Sequence, residues 1–571
     1  MLEDFNTCTD LVSVETEVCI VGAGAAGITL ARELVAAGME VCLLESGGVD
    51  HEQAVQDLAH GSSIGYPYYP LVSSRLRFFG GTTSIWGGRV AQLDRIDFEK
   101  RSWVPDSGWP FDKAALAPYY ARAQEHLGVA SIYGSDNMAV QLGHTARPLD
   151  STLLRTAYWQ FDEQSERFTI RRCADLVKSR KARILLHATV VNIQTDHAGR
   201  SIDHIEIANL RGSRAFVKAK NFVLAAGGLE NPRLMLASKT VQECGLGNDH
   251  DLVGRYFMEH PRARGAHVRP KSIGQLMDMF PRLRRHHGNR YAALLRGSEV
   301  LQEQEGILNT SFSLSVRQAP DENLVLYKRV YKALKERLPP NRAGRALWRL
   351  VRHASVRGRE QFSSLSRWNS VTRHTDDLYV VIRAEQAPNP ASRVILTNDR
   401  DELGVPRIAL DWRFSEIDKR SASVLMSTFD QELRRCDLGH LEQSSWLDKD
   451  GPVWETDTLI SNHPIGGYHH IGTTRMALSP RKGVVDADCR VHGLDNLYVA
   501  GSSVFPTGGW ANPTLTIMAL ALRLADELAR SARKPFAEIV TTERRSKTRS
   551  RMVPGKVAAR IRSLGIDTSR S

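Results

Sequence analysis

Cysteine is sparse in this chain: seven in 571 residues, an odd number, at Cys8, Cys19, Cys42, Cys173, Cys244, Cys436 and Cys489. No two stand at a metal-ligand spacing, and the density is too low for a disulfide framework, so no metal site is expected and a reducing compartment is the simpler setting. Long apolar runs are also missing; none approaches the roughly 18 residues that span a bilayer. The opening MLEDFNTCTD has neither the basic start nor the apolar core of a signal peptide. There is no internal repeat, and no basic face interleaved with aromatics that would suit DNA or RNA. These absences lead to the expectation of a cytosolic protein, at most attached to a membrane surface, with no nucleic-acid partner.

What is present is a large chain, 42% hydrophobic, with a formal charge of +12 that is unevenly spread. Lys328 to Arg359 holds eleven Lys/Arg against the single acid Glu336, and the tail from Thr541 holds nine against two, which leaves the rest of the chain near −5. An ordinary, slightly acidic body thus carries two basic appendages. The first is amphipathic: Leu326, Val330, Leu334 and Leu338 share a face before Pro339, and Leu347, Trp348, Leu350 and Val351 follow it. Such a segment suits an anionic membrane surface or an acidic partner, or simply packs as a solvated helical insertion.

The most readable unit is VETEVCIVGAGAAGITLARELVAAGMEVCLLESG. Val14 to Val21 alternates and then runs apolar, as a buried strand does; a helix packed by Ile28, Leu30, Leu34 and Val35 follows, and a second strand ends at Glu45. Gly22 permits the tight turn, Gly24 lets a pyrophosphate approach the backbone, and Gly27 lets the helix lie against the strand. The helix N-terminus offers free N–H groups to phosphates. Glu45 stands where a ribose-binding acid is expected and disfavours a 2′-phosphate, which leaves FAD and NAD.

Two later segments tilt the choice to FAD. In AFVKAKNFVLAAGGLENPRLML, Phe222 to Ala226 is a buried strand ending in glycines, with a helix expected from about Asn231-Pro232. In GLDNLYVAGSSVFPTGGWANPTLTIMALALRLADELAR, a strand at Leu497 to Ala500 leads through a loop to a helix from about Pro513, its apolar face formed by Leu515, Met518, Ala519, Leu522 and Leu528. Cofactor-contacting segments so far apart imply a discontinuous domain around an extended ligand.

With these residues in view, the chain resembles the glucose–methanol–choline (GMC) flavin oxidoreductases over roughly residues 14 to 535. The resemblance rests on the Gly22/Gly24/Gly27/Glu45 unit, FGGTTSIWGGR, AAGGLENPRLML, GNDHDLVGRYFMEHP, GYHHIGTTRM and FPTGGWANPTLTIMALALRLAD, in that order. TTSIW and AEQAPNPASRVILT look closest to sugar-oxidising members such as pyranose oxidases and fructose- or gluconate-type dehydrogenases. The resemblance implies an α/β fold: a Rossmann-like FAD-binding domain (of the GMC and p-hydroxybenzoate-hydroxylase type) with an antiparallel-sheet α+β substrate domain. Residues 1–265, with cap segments at about 50–175, and 455–535 would form the first. Residues 266–454, with a basic helical insertion at about 320–360, would form the second, and 536–571 is a basic tail.

The resemblance also assigns site residues. His469, three residues before Gly472-Thr473, is the base that takes a hydroxyl proton, and Asn512 orients the substrate oxygen. His470 and His463 are expected to be structural. The cofactor-binding set is Gly22, Gly24, Ala25, Gly27, Glu45, Gly81, Thr83, Ser84, Trp86, Val191, Ala226, Gly501, Asn512 and Pro513. Some relatives carry a flavin-linked histidine before the tryptophan of TTSIW; Ile85 stands there in this chain, so FAD is expected to be non-covalent. Many relatives have an acid near Gly501, where this chain has none. Trp510 either shapes the pocket or packs. The expected activity is oxidation of an alcohol, on a sugar or glycoside, to a carbonyl, with dioxygen or a quinone-like acceptor taking the electrons. A lyase with a structural FAD, or a non-sugar alcohol as substrate, is the alternative.

Overall fold

A computed structural model describes residues 1–8, 12–129, 148–162, 164, 167–272, 275–276, 284–286, 289–317, 338–361, 377–456 and 468–533. His463, the amphipathic stretch before Leu338 and the basic tail lie outside these residues. Among the described residues, no helix is long and apolar enough to cross a membrane.

The strand Ser13–Val21 is the centre of an eight-stranded sheet. Its last four residues are all buried, as the shift from alternation to an apolar run requires. Parallel neighbours are Val41–Leu44 on one side and Arg214–Leu224 on the other; Ala182–Leu186 and Leu2–Asp4 extend the sheet outward, also in parallel. The long strand Arg214–Leu224 has a second use. Its first half pairs with the antiparallel hairpin Thr189–Thr195/Ile202–Ala208, and its last three residues pair in parallel with Leu497–Val499. One strand thereby ties residues from both ends of the chain into one sheet.

The turn after the central strand has the geometry its glycines predict. Gly22 adopts φ of +104°, and a Cβ there would stand 2.7 Å from the Ala225 carbonyl oxygen. A Cβ on Gly27 would stand 2.0 Å from the Gly22 carbonyl oxygen and 3.3 Å from Ile20 Cγ2. The helix Ala25–Ala36 can therefore lie on the strand only because position 27 has no side chain. It packs against the last helix, Thr514–Arg533, whose expected face of Leu515, Met518, Ala519, Leu522 and Leu528 is buried.

The second sheet is antiparallel and also eight-stranded, in the order Gly439–Gln443, Arg262–Pro270, Asp377–Arg383, Ser311–Arg317, Asn289–Gly297, Leu154–Phe161 and Arg89–Val90, with Arg284–His286 beside Asn289–Gly297. Most of its strands come from the segment 266–454. It also takes Arg89–Val90 and Leu154–Phe161 from the cap segments, and Arg262–Pro270 runs across the boundary expected at 265/266. A third, three-stranded sheet holds the hairpin Arg393–Arg400/Pro406–Asp411, turned at Gly404 with φ of +83°, and Gly61–Ser63. The basic segment after Pro340 forms the helix Arg342–Gln361.

The helix expected at Asn231-Pro232 starts earlier, at Gly227, and runs to Ala237, so Pro232 lies inside it. Proline cannot donate to the carbonyl four residues back, which belongs to Gly228. Thr473 Oγ1 donates to that carbonyl instead, at 2.6 Å. A residue of the GYHHIGTTRM motif thus completes a helix near residue 230.

Gly27→Ala should destabilise the fold by about 1–3 kcal/mol, the usual cost of forcing atoms into a packed contact. Chemical denaturation of the apoprotein measures it.

Candidate active site

A single cavity runs past the ends of the parallel strands. It is lined by Gly22, Gly24 and Ala25 from the first turn, Glu45 and Ser46 after the second strand, Gly81, Thr83 and Trp86, Ala226 to Gly228, Gly501 and Ser502, and Asn512 to Thr514. A methyl group added at Gly24, Gly227 or Gly501 would meet nothing within 4 Å. The three glycines therefore face space that a ligand can approach to backbone distance. Glu45 is buried, with Oε2 accepting from the Ala23 N–H at 2.9 Å and Oε1 from the Gly47 N–H at 3.2 Å. Burial pushes its carboxyl above the ordinary range, and those N–H groups oppose the shift. An elongated dinucleotide with its phosphates at the N-terminus of Ala25–Ala36 and a ribose at Glu45 fits these residues.

One wall holds a buried ion network that the sequence did not announce. Glu230 pairs with Arg75 at 2.7 Å, Arg77 at 2.8 Å and Arg233 at 3.3 Å, and Arg233 pairs with Asp401 at 2.7 Å. Burial alone would raise the Glu230 carboxyl; Arg77, Arg233 and Arg75 overcome it and hold the group well below the usual carboxylate range. This network joins the loop before Gly81, the helix Gly227–Ala237 and the turn at Asp401. Removing one member would leave buried charge uncompensated, at a cost of about 3–5 kcal/mol.

At the other end stand His469 and Asn512. Asn512 Nδ2 lies 3.2 Å from His469 Nε2, across 43 positions of sequence. His469 Nδ1 lies 2.8 Å from Nδ1 of His260, whose Nε2 is 2.7 Å from the Gly509 carbonyl oxygen and 3.3 Å from that of Gly508. The Glu259 carboxylate accepts the backbone N–H of His469 at 3.0 Å to both oxygens, the His260 N–H at 2.9 Å and the Tyr68 hydroxyl at 2.6 Å. Burial drives the His469 imidazole well below the ordinary histidine range, with His260, Arg262, His470 and Arg89 adding to the effect. His260 is lowered as well, by burial, although Glu259 opposes it. Both rings are neutral near pH 7.

The loop that carries Asn512 is gripped from below. The Glu385 carboxylate accepts the Gly509 N–H at 3.3 Å and pairs with buried Arg101 at 2.6 Å. Asp97 sits directly under Gly509, where a Cβ would be 2.3 Å from Oδ2. Burial, helped by Glu385 and Asp94, pushes the Asp97 carboxyl up to about 8. The Pro513 carbonyl accepts the Ile517 N–H at 2.8 Å and opens the last helix, so the free N–H groups of its first turn face the cavity.

Most residues expected from the sequence line this one cavity: Gly22, Gly24, Ala25, Glu45, Gly81, Thr83, Trp86, Ala226, His469, Gly501, Asn512 and Pro513. Gly27 does not; it serves the helix–strand contact. Ser84 does not; its hydroxyl lies beside Gly80. Val191 does not; it sits at a register shift between Val190 and Asn192, and Ala188, Thr189 and Val190 line the cavity just before it. Ile85 packs with Leu76, Phe78 and Trp348. Trp510 is buried, donates to Asp94 Oδ2 at 2.8 Å and packs near Trp159. His470 is buried against Phe257, Tyr68 and Tyr468, and burial with Arg75 pushes it down to about 3. His260, Glu259 and Glu230 were missed as site residues. The MEHP and LENP strings that hold them carry no spacing that assigns a role.

The cradle and fold define an FAD-dependent oxidoreductase: the model of that class matches residues 17–244, and the GMC oxidoreductase C-terminal model matches residues 388–521. Over residues 388–521 the chain is thus similar to the GMC oxidoreductases. It is 24% identical to the fructose dehydrogenase large subunit of Gluconobacter japonicus, over 90% of this chain and 98% of that protein. It is 24% identical to 2-methyl-1,2-propanediol dehydrogenase of Mycolicibacterium austroafricanum, over 92% and 96%, and 23% identical to paromamine 6′-oxidase of Streptomyces fradiae, over 90% and 91%. Among solved structures, formate oxidase of Aspergillus oryzae RIB40 shares the fold, with a TM-score of 0.54 at 15% identity over 91% of this chain and 99% of that one.

Gly24→Ala should leave the melting temperature of the apoprotein near the wild-type value, because the new methyl meets no protein atom. It should cost most of the bound flavin. The ratio of flavin to protein absorbance after purification, beside a melting curve of the stripped protein, checks both halves.

Proposed function

We propose that the protein oxidises an alcohol group of a sugar or glycoside to a carbonyl, with His469 as the base and Asn512 as the orienting group. The observation that carries this is the 3.2 Å approach of Asn512 Nδ2 to His469 Nε2 on the wall of the cofactor cavity. A substrate hydroxyl seated beside the pair can donate its proton to Nε2 and accept from Nδ2. Bound FAD supplies the two-electron acceptor for hydride from the same carbon. The first turn of Thr514–Arg533 points unpaired N–H groups toward the end of the cavity where negative charge grows.

Support for a sugar comes from relatives named fructose dehydrogenase, paromamine 6′-oxidase and C-glycoside 3-oxidase. Ile85, which has no nucleophilic atom and packs in an apolar cluster, supports a non-covalent FAD. The electrons pass on to dioxygen or a quinone-like acceptor. The helix Arg342–Gln361, with Leu347 and Leu350 exposed among arginines, supports contact with an anionic surface.

His469→Ala should slow anaerobic flavin bleaching by sugars about a hundredfold or more, the scale of a lost general base. An unchanged rate removes His469 from that role, and turnover without bleaching would point to a lyase. The pH profile gives a second check. A base works when unprotonated, and burial holds His469 below the ordinary value of 6.5. Reduction should therefore stay level down to pH 6.5 and decline only at lower pH.

A further inference from the structure

His469 can act as a base only if the proton of its neutral ring sits on Nδ1, leaving the lone pair of Nε2 toward the substrate. A histidine side chain left to itself favours the opposite tautomer, and the partner of the far nitrogen decides the outcome. In this protein the decision can be followed back two residues. Nε2 of His260 faces two backbone carbonyls, Gly509 at 2.7 Å and Gly508 at 3.3 Å. Carbonyls only accept, so that nitrogen carries the proton. A neutral imidazole then has a lone pair on Nδ1, and His260 Nδ1 lies 2.8 Å from His469 Nδ1. His469 must donate there. Glu259, the other candidate acceptor, has Oε1 at 3.9 Å, beyond hydrogen-bond reach. The remaining nitrogen, His469 Nε2, is left as an acceptor, and it faces the donor Nδ2 of Asn512 at 3.2 Å.

We infer that His260 is a positioning residue that reads the Gly509 carbonyl and fixes His469 as the Nδ1–H tautomer. The inference rests on the reading of His469 as base, and it adds a link: the carbonyl that sets the tautomer lies three residues before Asn512. A displacement of the 508–512 loop would misplace the amide and release the tautomer together. Burial of both rings supports the arrangement, because it disfavours the doubly protonated form that would erase the distinction.

Two substitutions divide the two jobs of His260. In His260→Asn the side-chain oxygen can take the place of Nδ1 and still accept from His469, while the contact with Gly509 is lost. In His260→Gln the amide N–H can reach the Gly509 carbonyl, while the acceptor for His469 is lost. The first readout is ¹⁵N NMR of histidine-labelled holoenzyme without substrate, with His469 assigned by its absence from His469→Gln. The wild type and His260→Asn should show His469 protonated at Nδ1; His260→Gln should show it protonated at Nε2. The second readout is anaerobic flavin reduction, in which His260→Gln should be slowed by about a hundredfold at unchanged substrate affinity and His260→Asn by about fivefold or less. Nε2–H on wild-type His469 overturns the proposal, as does an equal slowing of both variants, which is the mark of lost packing. The wild-type spectrum decides even if a variant fails to fold. An unchanged rate in His469→Ala would remove the base reading while leaving the tautomer measurement to stand by itself.

Discussion

One buried carboxylate holds together the end of the cavity that carries His469. Glu259 accepts from the backbone N–H groups of His469 and His260 and from the hydroxyl of Tyr68, three segments that are remote in sequence. Each donor would otherwise be an unsatisfied polar group, a penalty of about 1–3 kcal/mol apiece. The carboxylate is best satisfied only when the motif GYHHIGTTRM lies beside MEHP. The His260–His469 contact follows from that placement, and so does the direction in which His469 faces the cavity.

The same economy recurs on both sides of the pair. Pro232 leaves the Gly228 carbonyl without its helical donor, and Thr473, four residues after His469, takes the position. The peptide N–H groups of Gly472, Thr474 and Met476 donate to Ser502, Ser503 and Val504 in turn, which lays the histidine segment along the loop after Leu497–Val499. On the other side, Glu385 and Arg101, both almost fully buried, clamp Gly509. Neither histidine nor asparagine sits on a regular element. Each is fixed by a backbone whose polar groups have partners elsewhere in the site, so precision comes from hydrogen bonds where helices and strands do not reach.

This explains what could and could not be read from the chain alone. The Ser13–Glu45 unit was legible because its signals are local: an apolar run, glycines where a Cβ would collide or block, and an acid at a set distance. The last helix was legible from the period of Leu515, Met518, Ala519 and Leu522. The pairing of His469 with Asn512 came from resemblance, since nothing in either string points to the other. The cavity lining falls on Ala188–Val190 at the start of the strand and stops short of Val191, which sits at the bulge, a boundary with no local signature in the sequence. The contribution of Arg89–Val90 and Leu154–Phe161 to the second sheet was hidden for a related reason. Strand pairing is decided by distant partners, Phe161 for Arg89 and Arg290 for Phe161, and short strands carry little pattern of their own. Glu230 looked like an ordinary helical acid until three arginines converged on it.

The burial that orders the site also sets its chemistry. A histidine at the surface would be partly charged near neutrality and would shed its proton to water as readily as it took one from a substrate. Inside this cavity the desolvation of His469 and His260 removes the charged forms, which leaves the location of one proton as the remaining variable. Hydrogen bonds to fixed backbone carbonyls then determine that location without any further charge. The cost is a buried histidine pair that disfavours protonation. The benefit, on the proposed reading of His469 as base, is a lone pair held in one direction, facing the Asn512 carboxamide. Arg89 and Arg262 of the antiparallel sheet line the same cavity as His469, and the parallel sheet supplies the glycine turns that leave room for a cofactor. Two sheets of different construction meet at this cavity, one presenting open backbone at its glycine turns and the other supplying Arg89 and Arg262, which add to the burial that keeps the imidazole neutral.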